Sequence, residues 1–417
     1  MDATTLQELQ IERTPMFNRI NRVGKILKKA GIDPFKLDAD KIIKKAKKRA
    51  GYKGSLPGQT EEGLKRLVRS INQDAQPNTF GAIAAKTLFE RTLYGRLKIE
   101  QVLSENPEIE NREIKEPIFI IGMPRTGTTI LHAMLHEDPA HRSPLAWECL
   151  FPYPVPVPDT YHNNPQKKQV EKNFRQLFKL IPDFQVKHYM DADTPQECLA
   201  INIYDFNSYL PATLFSIPTY QNWFLNDADK LSTLRFHKRF LQYLQSGGVK
   251  AERWLLKSPV HMMRLQEIFE VYPDARIIIT HRHPSNVIAS TTSLISSVHS
   301  LYSDHEDPYR TGMEQIELWS NLFNEFLETR KKLGKEDQII DVKFDDFVSD
   351  QTGVAKHIYD HFNLPLSDDT LNKFKRFIEL NPKDKKGVHK YSLKDFGLDE
   401  KLVSDKFAFY IDFLKQL

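Results

Sequence analysis

Apolar residues return along this chain in two rhythms, and the change between them falls near residue 112. Before that point they return at helical spacing. Ile20, Val23, Ile26, Leu27 and Ala30 make one stripe of period 3.6, with Gly31 and Pro34 as its stop signals. Residues 82–100 carry a longer helical pattern built from strong helix formers. Residues 1–112 are therefore expected to form a helical N-terminal region. From Glu116 onward, short β-rich runs alternate with helical patterns, the signature of a parallel sheet covered on both faces. The predicted strands are residues 117–121, 254–256, 275–280 and 338–343; the first three are nearly all apolar, as doubly buried strands should be. The expected fold class is α/β, a central parallel sheet flanked by helices in a P-loop-like arrangement over residues 113–417.

Between the first two strands lies Phe151-Pro152-Tyr153-Pro154-Val155-Pro156-Val157-Pro158, whose alternate prolines forbid helix and central strand. It reads as an extended surface segment at a pocket rim. Composition adds little to this frame: 40% hydrophobic and 27% charged residues are ordinary for a globular chain, and no apolar run approaches the length of a membrane helix. The first residues lack the basic and apolar regions of a secretory signal, so a cytoplasmic location is expected, and membrane association is not. A net charge of +4 does not point to nucleic acid. The lysine-rich stretch 25–53 reads as a solvated helix face. Cys149 and Cys198 are too few for a disulfide framework and have no metal-ligand spacing; they read as small buried side chains.

Candidate chemistry begins where the first strand ends. Gly122-Met123-Pro124-Arg125-Thr126-Gly127-Thr128-Thr129 has the frame of a phosphate-binding loop, but Thr128 stands where the lysine of a triphosphate-binding loop belongs. That lysine serves the β- and γ-phosphates, so its replacement argues against triphosphate chemistry. Loop NH groups and the following helix still make an anion cradle, with Arg125 as its cation. A second constellation follows the third strand: Arg282 at its carboxyl end and Ser290 eight residues later. Ligands bind at that end of an open α/β sheet, and an arginine with a hydroxyl there can hold a second phosphate.

Together these residues resemble the sulfotransferases that use 3′-phosphoadenosine 5′-phosphosulfate (PAPS). That family's phosphosulfate loop is similar to Pro124-Arg125-Thr126-Gly127-Thr128-Thr129, and its 3′-phosphate motif to Arg282 with Ser290. Trp254-Leu255-Leu256-Lys257-Ser258 resembles its second strand, ending in a lysine that balances charge on the transferred group. Residues 341–350 resemble a late strand and acidic turn with a structural role. Lys385 to Tyr391, including Lys386, His389, Lys390 and Tyr391, resembles the basic loop that closes over the 3′-phosphate. The resemblance covers roughly residues 116–400 and implies PAPS as co-substrate, with no metal expected.

An alcohol acceptor must lose a proton, so a general base should lie near the loop. Glu148 is the first choice by resemblance to tyrosyl-protein sulfotransferases, His261 the second and Glu197 the third. The acceptor pocket is expected to draw on Tyr153, Tyr204, Phe206, Tyr209, Phe215 and Trp223, which points to a small, partly apolar hydroxyl or amine acceptor. A nucleoside or small-molecule kinase and a non-catalytic nucleotide-binding module are the alternatives. Acceptor identity and oligomeric state are not legible here.

Overall fold

The computed structural model describes residues 13–182, 191–382 and 392–417. Its centre is a five-stranded, all-parallel sheet in the order β2-β3-β1-β4-β5, formed by β1 (Ile118–Gly122), β2 (His141–Arg142), β3 (Arg253–Lys257), β4 (Arg276–His281) and β5 (Ile339–Lys343). Four of these match the predicted strands to within a residue or two. β2 was not predicted: two polar residues pairing with Arg253 and Trp254 leave no pattern to read.

Strand side chains alternate between faces, so a doubly buried strand must be apolar at every position. β1 does this. Ile118 and Ile120 join a cluster with Leu131, Leu135 and Ile358, whereas Phe119 and Ile121 enter the main core on the other face. Because β1 sits between β3 and β4, the carboxyl ends of all three open on one crevice.

The N-terminal region is helical, with α1 (Pro15–Lys29), α2 (Ala39–Ala50), α3 (Thr60–Ser70) and α4 (Thr79–Glu105). Its packing is continuous with the sheet: Leu64, Phe89 and Leu97 belong to the same apolar cluster as Phe119 and Ile277. The aromatic residues assigned above to an acceptor pocket make this junction. Tyr204, Phe206, Tyr209, Phe215 and Trp223 are all buried, and Phe206 meets Phe89 with ring centroids 5.9 Å apart. Tyr204 donates its hydroxyl to the Cys149 carbonyl at 2.7 Å. These rings are core, because the inner face of α4 must bury its apolar surface against something equally large. Tyr153 lies under the Lys98 ammonium, 5.3 Å from its ring centroid. The proline-rich segment around it is pinned rather than a free rim: Tyr243 donates to the Pro152 carbonyl at 3.0 Å.

α1 exists as predicted, but its orientation differs from what the stripe suggests. Phe17, Asn21 and Gly24 are its buried positions, while Val23 and Ile26 face outward. The cause is a close helix crossing: a Cβ on Gly24 would lie 1.8 Å from Thr79 Oγ1. Asn21 strengthens the same contact by accepting from the Phe80 amide at 2.9 Å.

Candidate active site

β1 delivers the chain into the loop through a glycine that has no substitute. Gly122 adopts φ 142°, and a Cβ there would lie 2.5 Å from the Thr280 carbonyl oxygen on β4. Thr126 Oγ1 then lies 2.6 Å from both the Met123 carbonyl and Thr280 Oγ1, which closes the turn and ties it to β4. Arg125 takes a left-handed φ of 65°, and Gly127 passes the chain into α5 (Thr128–Leu135). No side chain caps α5. Its first amide groups therefore point into the crevice as donors for an anion.

The second motif converges on the first. Arg125 Nε donates to Ser290 Oγ at 2.9 Å, and Arg282 Nη1 donates to the Arg125 carbonyl at 3.0 Å. The Arg282 guanidinium lies 4.2 Å from the Phe344 ring centroid. Ser290 sits two turns into α6 (Pro284–Tyr302), which leaves the carboxyl end of β4.

A partly buried network braces this end of β4. Arg330 donates to both oxygens of Asp341 at 2.8 Å, and His281 Nε2 lies 2.8 Å from Asp341 Oδ1. Burial opposes the charge on Asp341, but hydrogen bonds from His281 and Arg330 outweigh it and lower its pKa to about 2. Burial lowers that of His281, which therefore bonds as a neutral imidazole. With an ionised carboxylate at Nε2, the proton is on Nε2 and Nδ1 accepts, facing Tyr410 Oη at 3.3 Å. Tyr410 Oη in turn accepts from the Arg282 amide at 3.3 Å. The segment read as structural thus reaches the binding arginine from Asp341 through three hydrogen bonds, by way of His281 and Tyr410.

Lys257 ends β3 on the other side of the loop. Its side chain is only 3% exposed, and its ammonium lies 2.5 Å from Glu197 Oε1 and donates to Thr129 Oγ1 at 3.4 Å. Glu197 remains one-third exposed. The Cys198 amide donates to the Lys257 carbonyl at 2.8 Å, which fixes Glu197 beside the lysine. The other two candidate bases are placed differently. Glu148 is fully buried; Arg142 donates to one of its oxygens at 2.8 Å and the Leu145 amide to the other at 3.0 Å. Its carboxylate is committed to holding a helix start and a buried cation. His261 is fully buried edge-on to Phe119, with centroids 5.3 Å apart, and burial holds its pKa well below the ordinary value.

Cys198, His237 and His261 bring their ligating atoms within 4.8 Å of one another. Burial pushes the Cys198 thiol up to about 12 and His237 down to about 3, and the wholly buried Arg264 further disfavours charge on both imidazoles. The positive charge of Arg264 opposes a further cation among them. Lys386, His389, Lys390 and Tyr391 lie outside the described residues.

A profile of the sulfotransferase family matches residues 117–368, the span from β1 through β5 and beyond. The chain belongs to that family. A curated sulfotransferase, the omega-hydroxy-beta-dihydromenaquinone-9 sulfotransferase Stf3 of Mycobacterium bovis, is 24% identical over 292 residues, covering 66% of this chain and 68% of its own length. The Mycobacterium tuberculosis protein of the same name matches equally. Among solved structures, sulfotransferase STF9 from Mycobacterium avium superposes with a TM-score of 0.82 at 27% identity, over 90% of this chain and 96% of that one. STF1 from Mycobacterium tuberculosis gives 0.74 at 28% identity, over 94% and 98%. These two likenesses extend across the helical N-terminal region. In this sulfotransferase, Thr280, Phe344 and Tyr410 shape the crevice without any motif marking them. Thr280 and Phe344 leave a trace in sequence only by their position at or just after a strand end, and Tyr410, on the C-terminal helix Ala408–Leu414, leaves none.

Proposed function

We propose that this sulfotransferase moves the sulfuryl group of PAPS to a hydroxyl, or an amine, on an acceptor with an apolar body. One observation carries the reading: Lys257, Glu197 and Thr129 meet on one side of the loop while Arg125, Arg282 and Ser290 meet on the other. That separation suits a ligand with two anionic ends. The loop amides with Thr126, Thr128 and Thr129 take the phosphosulfate, and Arg282 with Ser290 takes the 3′-phosphate.

In the transfer, the acceptor oxygen attacks sulfur in line. The bond from sulfur to the bridging phosphate oxygen breaks, and adenosine 3′,5′-bisphosphate departs with that electron pair. Lys257 and Arg125 face the charge that develops on the sulfuryl and leaving oxygens. Glu197 accepts the acceptor's proton, because it alone of the three candidate carboxylates and imidazoles combines exposure with a place beside Lys257. Its Oε1 is held by the lysine, which leaves Oε2 for the proton.

The curated relatives named for a hydroxylated menaquinone favour a lipid-like acceptor alcohol. A nucleotide donor of this kind is expected in the cytoplasm. Titration with adenosine 3′,5′-bisphosphate and with ATP·Mg²⁺ tests the donor: tight bisphosphate binding without Mg²⁺ supports it, and preference for ATP·Mg²⁺ sinks it. A screen of long-chain alcohols and short water-soluble alcohols with labelled PAPS then tests the acceptor.

A further inference from the structure

α1 is packed by a narrow face and leaves the rest of its circumference in solvent. Met16 is 66% exposed, Val23 51% and Ile26 60%, and Ile32 just past its end is 56% exposed. Four of the nine large apolar side chains exposed among the described residues thus fall within this one short stretch. Scattered singly, such residues need no explanation; gathered on a helix, they make a surface.

The same helix has no acidic residue, and Arg19, Arg22, Lys25, Lys28 and Lys29 are all exposed. A hollow beside it is lined by Arg13, Arg22, Lys25, Ile26, Lys29 and Asp304. Asp304 answers Lys25 at 2.8 Å and Arg13 at 3.4 Å, whereas Arg22 and Lys29 have no ion pair among the described residues. Exposed apolar side chains interleaved with cations on one surface helix are the pattern of a helix lying in a lipid headgroup layer.

We propose that α1 docks this protein on an anionic lipid bilayer, with Met16, Val23 and Ile26 among the acyl chains and Arg22 and Lys29 on headgroup phosphates. A second copy of the chain fits less well, since a two-fold contact through α1 opposes the same cations to one another. A nucleic acid would leave the apolar stripe in water. No helix among the described residues is long and apolar enough to cross a membrane, so the contact is superficial.

The position of α1 gives the docking a use, which rests on the lipid-acceptor reading above. Phe17 packs with Ile181, Val298 and Leu301, and Thr14 Oγ1 donates to the Leu180 carbonyl at 2.9 Å. Val298 and Leu301 lie near the end of α6, whose second turn carries Ser290. From Ser290 to Leu301 the helix runs about 16 Å. The bilayer is thereby set one helix length from the crevice, within reach of an acceptor whose tail stays in lipid.

Full-length protein is co-sedimented with vesicles of phosphatidylcholine alone and of about two parts phosphatidylcholine to one of phosphatidylglycerol, without PAPS. Binding to the mixed vesicles is expected. It should fall about tenfold or more in Val23→Glu/Ile26→Glu and in Arg22→Glu/Lys29→Glu, and stay unchanged in the α2 control Lys44→Glu/Lys48→Glu. Bisphosphate affinity, unaltered in every variant, reports folding. The proposal is overturned if wild type ignores both vesicles, if the α1 variants bind as wild type does, or if light scattering shows a dimer that these substitutions dissolve. Failure here together with sulfation of long-chain alcohols in detergent removes the docking and keeps the acceptor reading; vesicle binding without lipid sulfation does the reverse.

Discussion

Arg125 Nε donates to Ser290 Oγ at 2.9 Å, joining two motifs that lie 165 residues apart in the chain. The loop and α6 therefore act as one anion site. Ser290→Ala should weaken adenosine 3′,5′-bisphosphate by about 10- to 100-fold, the loss of a hydrogen bond to a charged partner. Arg125→Ala should cost at least as much, with an unchanged unfolding midpoint because the side chain is exposed. A calorimetric double-mutant cycle should give a coupling of about 0.5–3 kcal/mol. Additive losses would show the two motifs to be independent.

The base assignment separates by three substitutions. Glu197→Gln should lower kcat by about 10²- to 10⁴-fold while bisphosphate affinity holds. Glu148→Gln leaves the Arg142 charge buried beside a neutral amide, and should destabilise by about 3–5 kcal/mol without lowering kcat per folded molecule. His261→Leu should remain active. A folded Glu148→Gln protein with no turnover, beside an active Glu197→Gln, would reverse the assignment.

These outcomes bear on what the sequence discloses. Strands buried on both faces must be apolar throughout, so β1, β3 and β4 stand out as runs; β2 is two polar residues on an edge and leaves no mark. Glu148 did carry a warning, since a glutamate at the third position of a helix commonly reaches back to the chain before it. Glu197 carried none. Its place beside Lys257 comes from the Cys198 amide contact with β3 and a bridge between Leu145 and Pro195, both long-range. α1 misleads for a related reason: its packed face uses one phenylalanine, an asparagine and a glycine, so the apolar stripe is the face left over.

Acid stability should depend on the residue beneath Arg282. A carboxyl whose pKa falls from 3.8 to about 2 on folding stabilises the native state above pH 4 and loses that contribution as pH falls toward 2. The shift corresponds to about 2 kcal/mol at neutral pH. Urea unfolding of wild type and Asp341→Asn should therefore differ at pH 7 and converge near pH 2. A difference that persists undiminished in acid would mean that the ion pair with Arg330 is not what the substitution removes. Bisphosphate binding should weaken as well, because His281 then loses the carboxylate that keeps its proton on Nε2 and its Nδ1 free to orient Tyr410 toward the Arg282 amide.

Two glycines with positive φ test whether the loop is built by close approach or by conformation alone. Gly31 has φ 76° and nothing within 4 Å of an added Cβ, so alanine there costs only the left-handed backbone, about 1–2 kcal/mol. Gly122 has φ 142°, and its added Cβ would meet the Thr280 carbonyl at 2.5 Å and Thr280 Oγ1 at 2.6 Å. Neither atom can retreat cheaply: the first is backbone of a central strand, and the second holds Thr126. Gly122→Ala should therefore displace the loop, abolish bisphosphate binding and lower stability by more than Gly31→Ala does. Equal unfolding midpoints with bisphosphate binding intact in Gly122→Ala would show that the loop tolerates separation from β4, and that its cradle does not depend on this contact.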